Sequence, residues 1–284
     1  MTRHENTSEM DVASAGIKTF YTDYHDCIAQ KRYNSPYWLR RYAHRRTHEA
    51  FFDYLKPGQQ VLDAGCGEGV LTCLAARRGV DIIGADISGP NVDGARRLAT
   101  EWGVQPRFIQ ADADQLPFAD SSFDVVLSSH VLEHLPDPKS GMRELFRVTR
   151  SLALVAMPTC LNPACWALLG GDRFWTLGRR SLVAVPFGLA RTLAAWIRGE
   201  EGPDETYEGH DNLPHVWRFP HVMRQALEDA GFEIVGFEAG PLIVPYLAEY
   251  ITPMRWLQPY LDRQRRRALL RNLGYGSLAV CRKL

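Results

Sequence analysis

Short apolar segments alternate with segments of helical periodicity between residues 60 and 157, and this alternation restricts the fold more than any other feature. The predicted strands are Gln60–Asp63, Asp81–Asp86, Arg107–Ala111, Phe123–Ser128 and Leu152–Met157. The predicted helices between them are Val70–Arg78, Asn91–Trp102 and His130–Val148. Strands separated by helices of this length pair in parallel, because the chain crosses back over a face of the sheet in a right-handed helical connection. The sequence therefore predicts an α/β fold, a doubly wound parallel sheet with helices on both faces.

A glycine-rich stretch, VLDAGCGEG (Val61–Gly69), joins the first predicted strand to the first helix. Glycine permits positive φ and close approach of a ligand, and open parallel sheets bind ligands beyond the carboxyl ends of their strands. A tight turn without a ligand is the alternative. The dinucleotide fingerprint fails at Val70, where its third glycine would stand, and no Gly-Lys-Ser/Thr follows for a phosphate loop. Asp63, two residues before Gly65, suits a ligand with an ammonium group better than a pyrophosphate.

Charge and cysteine usage narrow the class of protein. Lys and Arg together number 33, equal to Asp and Glu, so no overall basic field favours nucleic acid as a partner. The six cysteines are scattered without a Cys-x-x-Cys pair, which argues against a zinc ribbon and favours free thiols in the cytoplasm. The polar start, MTRHENTSEMDVASAG, has no apolar core, so we expect no signal peptide and a cytoplasmic protein.

DAGCGEG (Asp63–Gly69) resembles motif I of the class I S-adenosylmethionine-dependent methyltransferases. FDVVLSSHVLEHL (Phe123–Leu135) is similar to the fourth-strand motif of that family, and HVWRFPHVMRQALEDAGFEIV (His215–Val235) to its penultimate helix and strand. The resemblance implies a Rossmann-like, doubly wound, seven-stranded sheet, mostly parallel. GYGSLAVC (Gly274–Cys281) would be its last strand, antiparallel to the others.

The resemblance also implies S-adenosylmethionine as the cofactor and assigns roles to acids at three strand ends. Asp63 would meet the ammonium group, Asp86 both ribose hydroxyls, and Asp112 the adenine amine, with the Ala113 backbone NH beside it. For each acid taken alone, a helix cap or a surface role is the alternative. The implied cofactor-binding residues are Asp63, Gly65, Cys66, Gly67, Gly69, Asp86, Ile87, Asp112, Ala113, Ser129 and Tyr24.

The predicted catalytic residues follow the fourth strand. His130, Glu133 and His134 stand at i, i+3 and i+4, so on the predicted helix they share one face, and His130 is the predicted base for a hydroxyl acceptor. His215 is a further catalytic candidate. The His-x-x-Glu-His spacing also fits a metalloprotease, but here it follows a strand of a nucleotide-binding sheet. Quinone-pathway O-methyltransferases carry Glu-x-x-Glu-His at this place, so a divalent metal and a purely structural role both stay open, and no metal ligand is assigned.

The predicted domains are an N-terminal helical cap at residues 1–55 and a methyltransferase domain at 56–284 with a helical lid inserted at 159–214. The insertion is too long for a plain connection. Its apolar segment, within residues 174–198, falls short of the roughly 20 residues that span a bilayer. A lid over the substrate, a helix lying on a membrane surface and a homodimer contact all remain open.

These features predict an enzyme that transfers a methyl group to a small apolar or aromatic metabolite, with O-methylation favoured over N-methylation. A lipid or quinone methyltransferase at a membrane surface, with or without a metal, is the alternative. SSHV (Ser128–Val131) stands where nucleic-acid methyltransferases have an Asn-Pro-Pro-Tyr-type tetrapeptide, so a nucleic-acid substrate is not expected. The intact glycine loop argues against a non-catalytic scaffold.

Overall fold

The protein is described from a computed structural model, in residues 15–24, 28–171, 180–203, 216–242 and 252–284. Seven strands form one sheet in the order β3-β2-β1-β4-β5-β7-β6. The strands are β1 at Gln60–Ala64, β2 at Asp81–Asp86, β3 at Arg107–Gln110, β4 at Phe123–Ser129, β5 at Thr149–Met157, β6 at Glu233–Ala239 and β7 at Ser277–Arg282. Strands β1 to β5 pair in parallel, and β7 is antiparallel to both β5 and β6. The predicted mostly parallel sheet with an antiparallel last strand is confirmed.

Helices cover both faces of the sheet. They are α1 at residues 15–22, α2 at Ile28–Tyr33, α3 at Trp38–Phe52, α4 at Val70–Ala76, α5 at Gly89–Glu101, α6 at Pro138–Val148, α7 at Pro163–Leu169, α8 at Arg180–Ile197, α9 at Pro220–Asp229 and α10 at Thr252–Arg263. Their first turns follow local sequence signals. The Ser88 side chain accepts a hydrogen bond from the Asn91 NH at the start of α5, and Asp137 caps α6 ahead of Pro138.

The strands are apolar on both faces because both are buried. Leu62 of β1 packs with Met142 of α6 and Leu227 of α9 in one layer of the core. Its neighbour Val61 points to the other face and packs with Phe51 of α3 in a second layer. This alternation fixes the register of β1, since a shift by one residue would exchange the two faces.

The helix predicted at His130–Val148 is wrong in its first half. His130 has φ of 57°, a single 3-10 turn follows at Leu132–His134, and α6 begins only at Pro138. Leu135 precedes Pro136 and is extended, with ψ of 144°, because the proline ring disfavours the helical conformation of the residue before it. The strand that follows starts directly after α6, at Thr149, three residues before its predicted start at Leu152.

The segment between β5 and α9 contains the helix pair α7 and α8, which lies over the site end of the sheet. The two helices cross closely: a Cβ at Gly188 would lie 1.8 Å from the carbonyl oxygen of Trp166. Glycine is therefore required at this crossing. Within the described ranges, no helix combines the length and the apolar character needed to cross a bilayer.

Candidate active site

A cavity of about 1180 Å³ lies beyond the carboxyl ends of β1 to β4. Its floor consists of the strand ends and the glycine-rich turn. Helices α1 to α3 form one wall, and residues of α7 and α8 with Trp217 and Tyr275 form another. This is the position at which open parallel sheets bind ligands.

The glycine-rich turn is held against β2 by backbone hydrogen bonds. The NH groups of Gly65 and Cys66 both donate to the Ala85 carbonyl, at 2.7 and 2.9 Å. Gly69 has φ of 73° and precedes α4, and a Cβ there would lie 2.7 Å from the Ala95 Cβ. Burial raises the pKa of the Cys66 thiol well above its usual value, which keeps it protonated and unreactive. Cys66, predicted to bind the cofactor, lines the cavity together with the glycines of the turn.

Asp63 lies at the centre of the floor with only 1% of its surface exposed. Its Oδ2 accepts a hydrogen bond from the Thr72 hydroxyl at 2.6 Å, and its Oδ1 has no hydrogen-bond partner among the described residues. Burial, with a smaller contribution from Asp86, raises the pKa of Asp63 to about 7, although the Thr72 bond opposes the shift. A buried carboxylate oxygen without a partner is costly, so this position fits a cationic ligand group.

Asp86 ends β2 and is oriented by the backbone on both sides. Its Oδ1 accepts from the Ser88 NH at 2.9 Å, and its Oδ2 accepts from the Gly67 NH at 2.8 Å. Burial raises the pKa of Asp86, while these hydrogen bonds partly offset it. The neighbouring Ile87 carbonyl is held by the Gln110 side chain at 2.9 Å. The fixed carboxylate retains lone pairs that can accept from a diol.

Asp112 and Ala113 follow β3 and line the same cavity. Asp112 forms an ion pair with Lys18 of α1, at 2.7 Å, and Lys18 also reaches Asp114 at 2.8 Å. Burial lowers the pKa of Lys18, but its bonds to the two carboxylates outweigh this and raise it. Lys18 was not predicted as a site residue, because nothing in its local sequence connects it with an acid 94 positions away.

His130 and Glu133 form a pair at the end of β4. The His130 Nδ1 lies 3.2 Å from Oε1 of Glu133, whose side chain is buried, and the His130 NH donates to the Ala156 carbonyl at 2.9 Å. Because Nδ1 is engaged, Nε2 is the ring nitrogen that can accept a proton. Ser129, the last residue of β4, lines the cavity beside them.

His134 does not share the face predicted for it. Its Nδ1 lies 3.0 Å from the hydroxyl of Tyr21 on α1, away from the His130–Glu133 pair, because the 3-10 turn replaces the predicted helix. Tyr24 contributes its backbone carbonyl to the Ser88 hydroxyl at 2.5 Å, and its ring lines the cavity. The predicted catalytic residue His215 lies outside the described residues.

The structure also brings in side chains that the sequence analysis missed. Thr72 could have been found as the lone hydroxyl in the apolar helix VLTCLAA. No local signal identifies the others, since they come from distant helices: Arg32, His44, His48, Leu168, Leu169, Phe187, Arg191, Trp217 and Tyr275. Among the residues that the structure describes, no group of three His, Cys, Asp or Glu side chains is arranged to hold a metal ion.

Comparison with known proteins agrees with this arrangement. Residues 62–157 match a family model described as "Methyltransferase domain". The chain is 34% identical over 150 residues to a ubiquinone biosynthesis O-methyltransferase from Hahella chejuensis, covering 51% of this chain and 63% of that protein. It is 41% identical over 108 residues to an uncharacterized methyltransferase from Mycobacterium sp. strain JLS, covering 37% of this chain and 41% of that protein. The chain thus spans less than two thirds of the length of these relatives.

Solved structures share the fold at low identity. A SAM-dependent methyltransferase from Methanosarcina mazei has a TM-score of 0.56 at 22% identity, covering 83% of this chain and 97% of that one. Magnesium protoporphyrin IX methyltransferase from Synechocystis PCC 6803, with bound SAH, has a TM-score of 0.52 at 19% identity. The match covers 98% of this chain and 100% of that one. A [4+2]-cyclase has a TM-score of 0.55 at 19% identity, and the match covers 93% of this chain and 86% of that one. Identities this low show the fold alone, and the fold occurs in proteins named for different reactions.

Proposed function

We propose that this chain, whose residues 62–157 form a methyltransferase domain of the class I S-adenosylmethionine-dependent type, transfers a methyl group from S-adenosylmethionine to a small apolar or aromatic acceptor. One observation carries the proposal. A single cavity joins the three strand-end carboxylates Asp63, Asp86 and Asp112 with the His130–Glu133 pair. A cofactor and an acceptor therefore fit side by side in one cavity.

The residues present fit the cofactor. Asp63 has a buried oxygen without a described partner, which suits the ammonium group of the methionine part. The Asp86 carboxylate is fixed by two backbone NH groups and can accept from both ribose hydroxyls. We assign Asp112 and the Ala113 NH, which line the same cavity, to the adenine edge, and Lys18 is paired with Asp112 beside them. The bound cofactor supplies an electrophilic methyl group on a sulfonium.

The chain's own residues then orient the acceptor and move one proton. His130 Nε2 accepts the proton of an acceptor hydroxyl, while Glu133 holds Nδ1 and stabilises the imidazolium that forms. Helix α1 lies along one side of the cavity through the Tyr21–His134 and Lys18–Asp112 contacts, and Phe187 of α8 borders the cavity. A base of this kind favours O-methylation over N-methylation, because an amine acceptor needs less help to lose its proton. The described cysteines are free thiols, which supports a cytoplasmic location as part of this proposal.

The test is transfer of tritiated methyl from S-adenosylmethionine to a panel of phenols and matched anilines, with S-adenosylhomocysteine binding measured by calorimetry on the same preparation. We expect binding of the product and faster labelling of phenols. Binding without labelling of any acceptor would contradict methyl transfer, an outcome that the shared fold of a [4+2]-cyclase makes worth measuring. Faster labelling of anilines would contradict the preference for oxygen.

Helix α8 favours a second candidate, methylation of a lipid or quinone at a membrane surface. It exposes large apolar side chains: Val183, Phe187, Leu193, Trp196 and Ile197. Such a face is typical of helices that lie on a bilayer. If this candidate function is right, the protein should co-sediment with anionic vesicles. The double variant Trp196→Ser, Ile197→Ser should lose this binding. The control Leu269→Ser, which changes an exposed leucine elsewhere, should retain it. If the protein does not sediment with vesicles, the membrane-surface function is excluded. A concentration-dependent dimer that the same double variant abolishes would assign the exposed face of α8 to a homodimer contact.

A further inference from the structure

The cavity is divided in charge between its floor and its helical wall. Its carboxylates all come from the strand ends and the adjoining loops: Asp63, Glu68, Asp86, Asp112 and Glu133. Helices α2 and α3 instead contribute Arg32, His44 and His48, which we call the basic wall. Among the lining residues that the structure describes, these two helices and α8 contribute no carboxylate.

The basic wall is a built cluster and not a set of separate surface groups. His48 Nδ1 lies 2.6 Å from the Tyr33 hydroxyl, and the two rings stack at 24° with their centres 5.6 Å apart. His44 and His48 are one helical turn apart on α3, so they face the same space. All three members of the wall are half-buried. Glu49, the neighbouring carboxylate on α3, is paired with Arg46 at 2.6 Å and does not line the cavity.

Neighbouring cationic groups lower the pKa values of both histidines of the wall. The pKa of His48 is lowered to about 4, first by burial and then by His130 and Arg32. Burial also lowers the pKa of His44 well below its usual value, and the charges that add to this are again cationic, Arg32 and the neighbouring histidines among them. Both histidines are therefore neutral near pH 7, so within the wall Arg32 carries the positive charge and the two imidazoles offer NH donors. His130 acts on both residues, so the wall lies near the base proposed for methyl transfer.

Building on the proposed function, we propose that the methyl acceptor carries a negatively charged oxyacid group that binds to Arg32 and the His44–His48 pair while its hydroxyl lies at His130. A guanidinium binds a carboxylate through parallel hydrogen bonds, and this pairing is stronger in a half-buried wall than in water. The rings of Tyr33, Trp217 and Tyr275 border the same cavity and fit an apolar or aromatic body. The acceptor is thus an amphiphilic acid and not a neutral phenol or quinol.

The test compares two fluorescent probes of nearly equal shape, anilinonaphthalene sulfonate and its uncharged counterpart N-phenylnaphthylamine, with S-adenosylhomocysteine present. We expect the wild type to bind the sulfonate roughly tenfold more tightly, about 1.4 kcal/mol, with the preference reduced at high salt. Arg32→Gln should remove the preference and Arg32→Lys should restore part of it. Arg97→Gln, the same change at an exposed arginine of α5, should leave it intact.

Equal affinity for the two probes, or an unchanged preference in Arg32→Gln, would overturn the proposal. Should Arg32→Gln lose its circular dichroism spectrum, the wild type still decides the question, because benzoate must displace the sulfonate far better than benzyl alcohol does. Trp196→Ser serves to subtract probe bound to the exposed face of α8. If the protein prefers the sulfonate probe but methylates no acceptor, only the proposed function is contradicted. If it methylates neutral phenols and shows no preference for the sulfonate, only the acidic acceptor is contradicted.

Discussion

Asp63 makes the stability of the protein without its cofactor depend on pH in an unusual direction. The pKa of this buried carboxyl is raised to about 7, so between its ordinary value of 3.8 and about 7 the folded chain holds a proton that the unfolded chain has released. Ionisation therefore destabilises the fold, and the free energy of unfolding falls as pH rises through this window. Most acids in folded proteins have the opposite effect.

The substitution Asp63→Asn removes this dependence and leaves a side chain of the same shape beside Thr72. A shift of three units corresponds to about 4 kcal/mol, of which about 3 kcal/mol falls between pH 5 and pH 8. We therefore expect the free energy of unfolding of the wild type to fall by about 3 kcal/mol more than that of Asp63→Asn over this range. The variant should be the more stable of the two at pH 8.

Urea denaturation at the two pH values, without cofactor, measures the difference. Subtraction of the variant curve cancels the contributions of other groups, including the half-buried His48. Asp124→Asn is the matched control: the Gln60 NH and Arg150 lower the pKa of Asp124, so that its carboxylate contributes stability that is lost as pH falls. Because this loss occurs at and below the ordinary value of 3.8, the carboxylate is ionised in both states from pH 5 to pH 8, and the control must leave the slope of the curve over this range unchanged.

Cofactor binding supplies the second half of the test. An ammonium group at Asp63 favours the ionised carboxylate, so S-adenosylhomocysteine should bind the wild type more weakly as pH falls below about 7, by up to tenfold per pH unit. Asp63→Asn should bind weakly without this dependence. Parallel stability curves for the wild type and Asp63→Asn, or cofactor affinity that is independent of pH, would refute the assigned role of Asp63.

Three further outcomes follow from the site. Asp86→Ala should lose most of its affinity for S-adenosylmethionine, measured by calorimetry, because each charge-assisted hydrogen bond is worth about 1.5–3 kcal/mol. Asp112→Ala should lose less affinity. A larger loss in Asp112→Ala would reverse the two assignments. His130→Ala should lower kcat by roughly 10²–10⁴ while cofactor affinity stays unchanged, and a wild-type rate would leave alignment alone to carry the reaction. Gly69→Ala should lower the free energy of unfolding by more than Gly58→Ala, because both have positive φ but only Gly69 would place its Cβ against Ala95 and Phe108; the backbone strain alone costs roughly 1–3 kcal/mol at either position.

The arrangement of the sheet could be read from the sequence because local signals and the global fold agree there. Asp81–Asp86 was predicted with its observed bounds, and the other strands within a few residues, since buried strands, glycine turns and caps such as Ser88 leave a regular pattern. Parallel topology then places Asp63, Asp86 and Asp112 at one edge, because the carboxyl ends of parallel strands point the same way. The floor of the site was thus determined by sequence order alone.

The upper half of the site was decided only by tertiary packing. The helical periodicity of HVLEHL suggested one face for His130, Glu133 and His134, but two prolines and the positive φ of His130 end that helix, and His134 bonds Tyr21 instead. Lys18, Arg32 and Phe187 reach the cavity from segments far apart in the chain, and a pattern within one segment carries no information about which distant side chain will meet it. The sequence by itself determined which strand ends form the floor of the cavity, whereas the folded chain determined which distant side chains complete its walls.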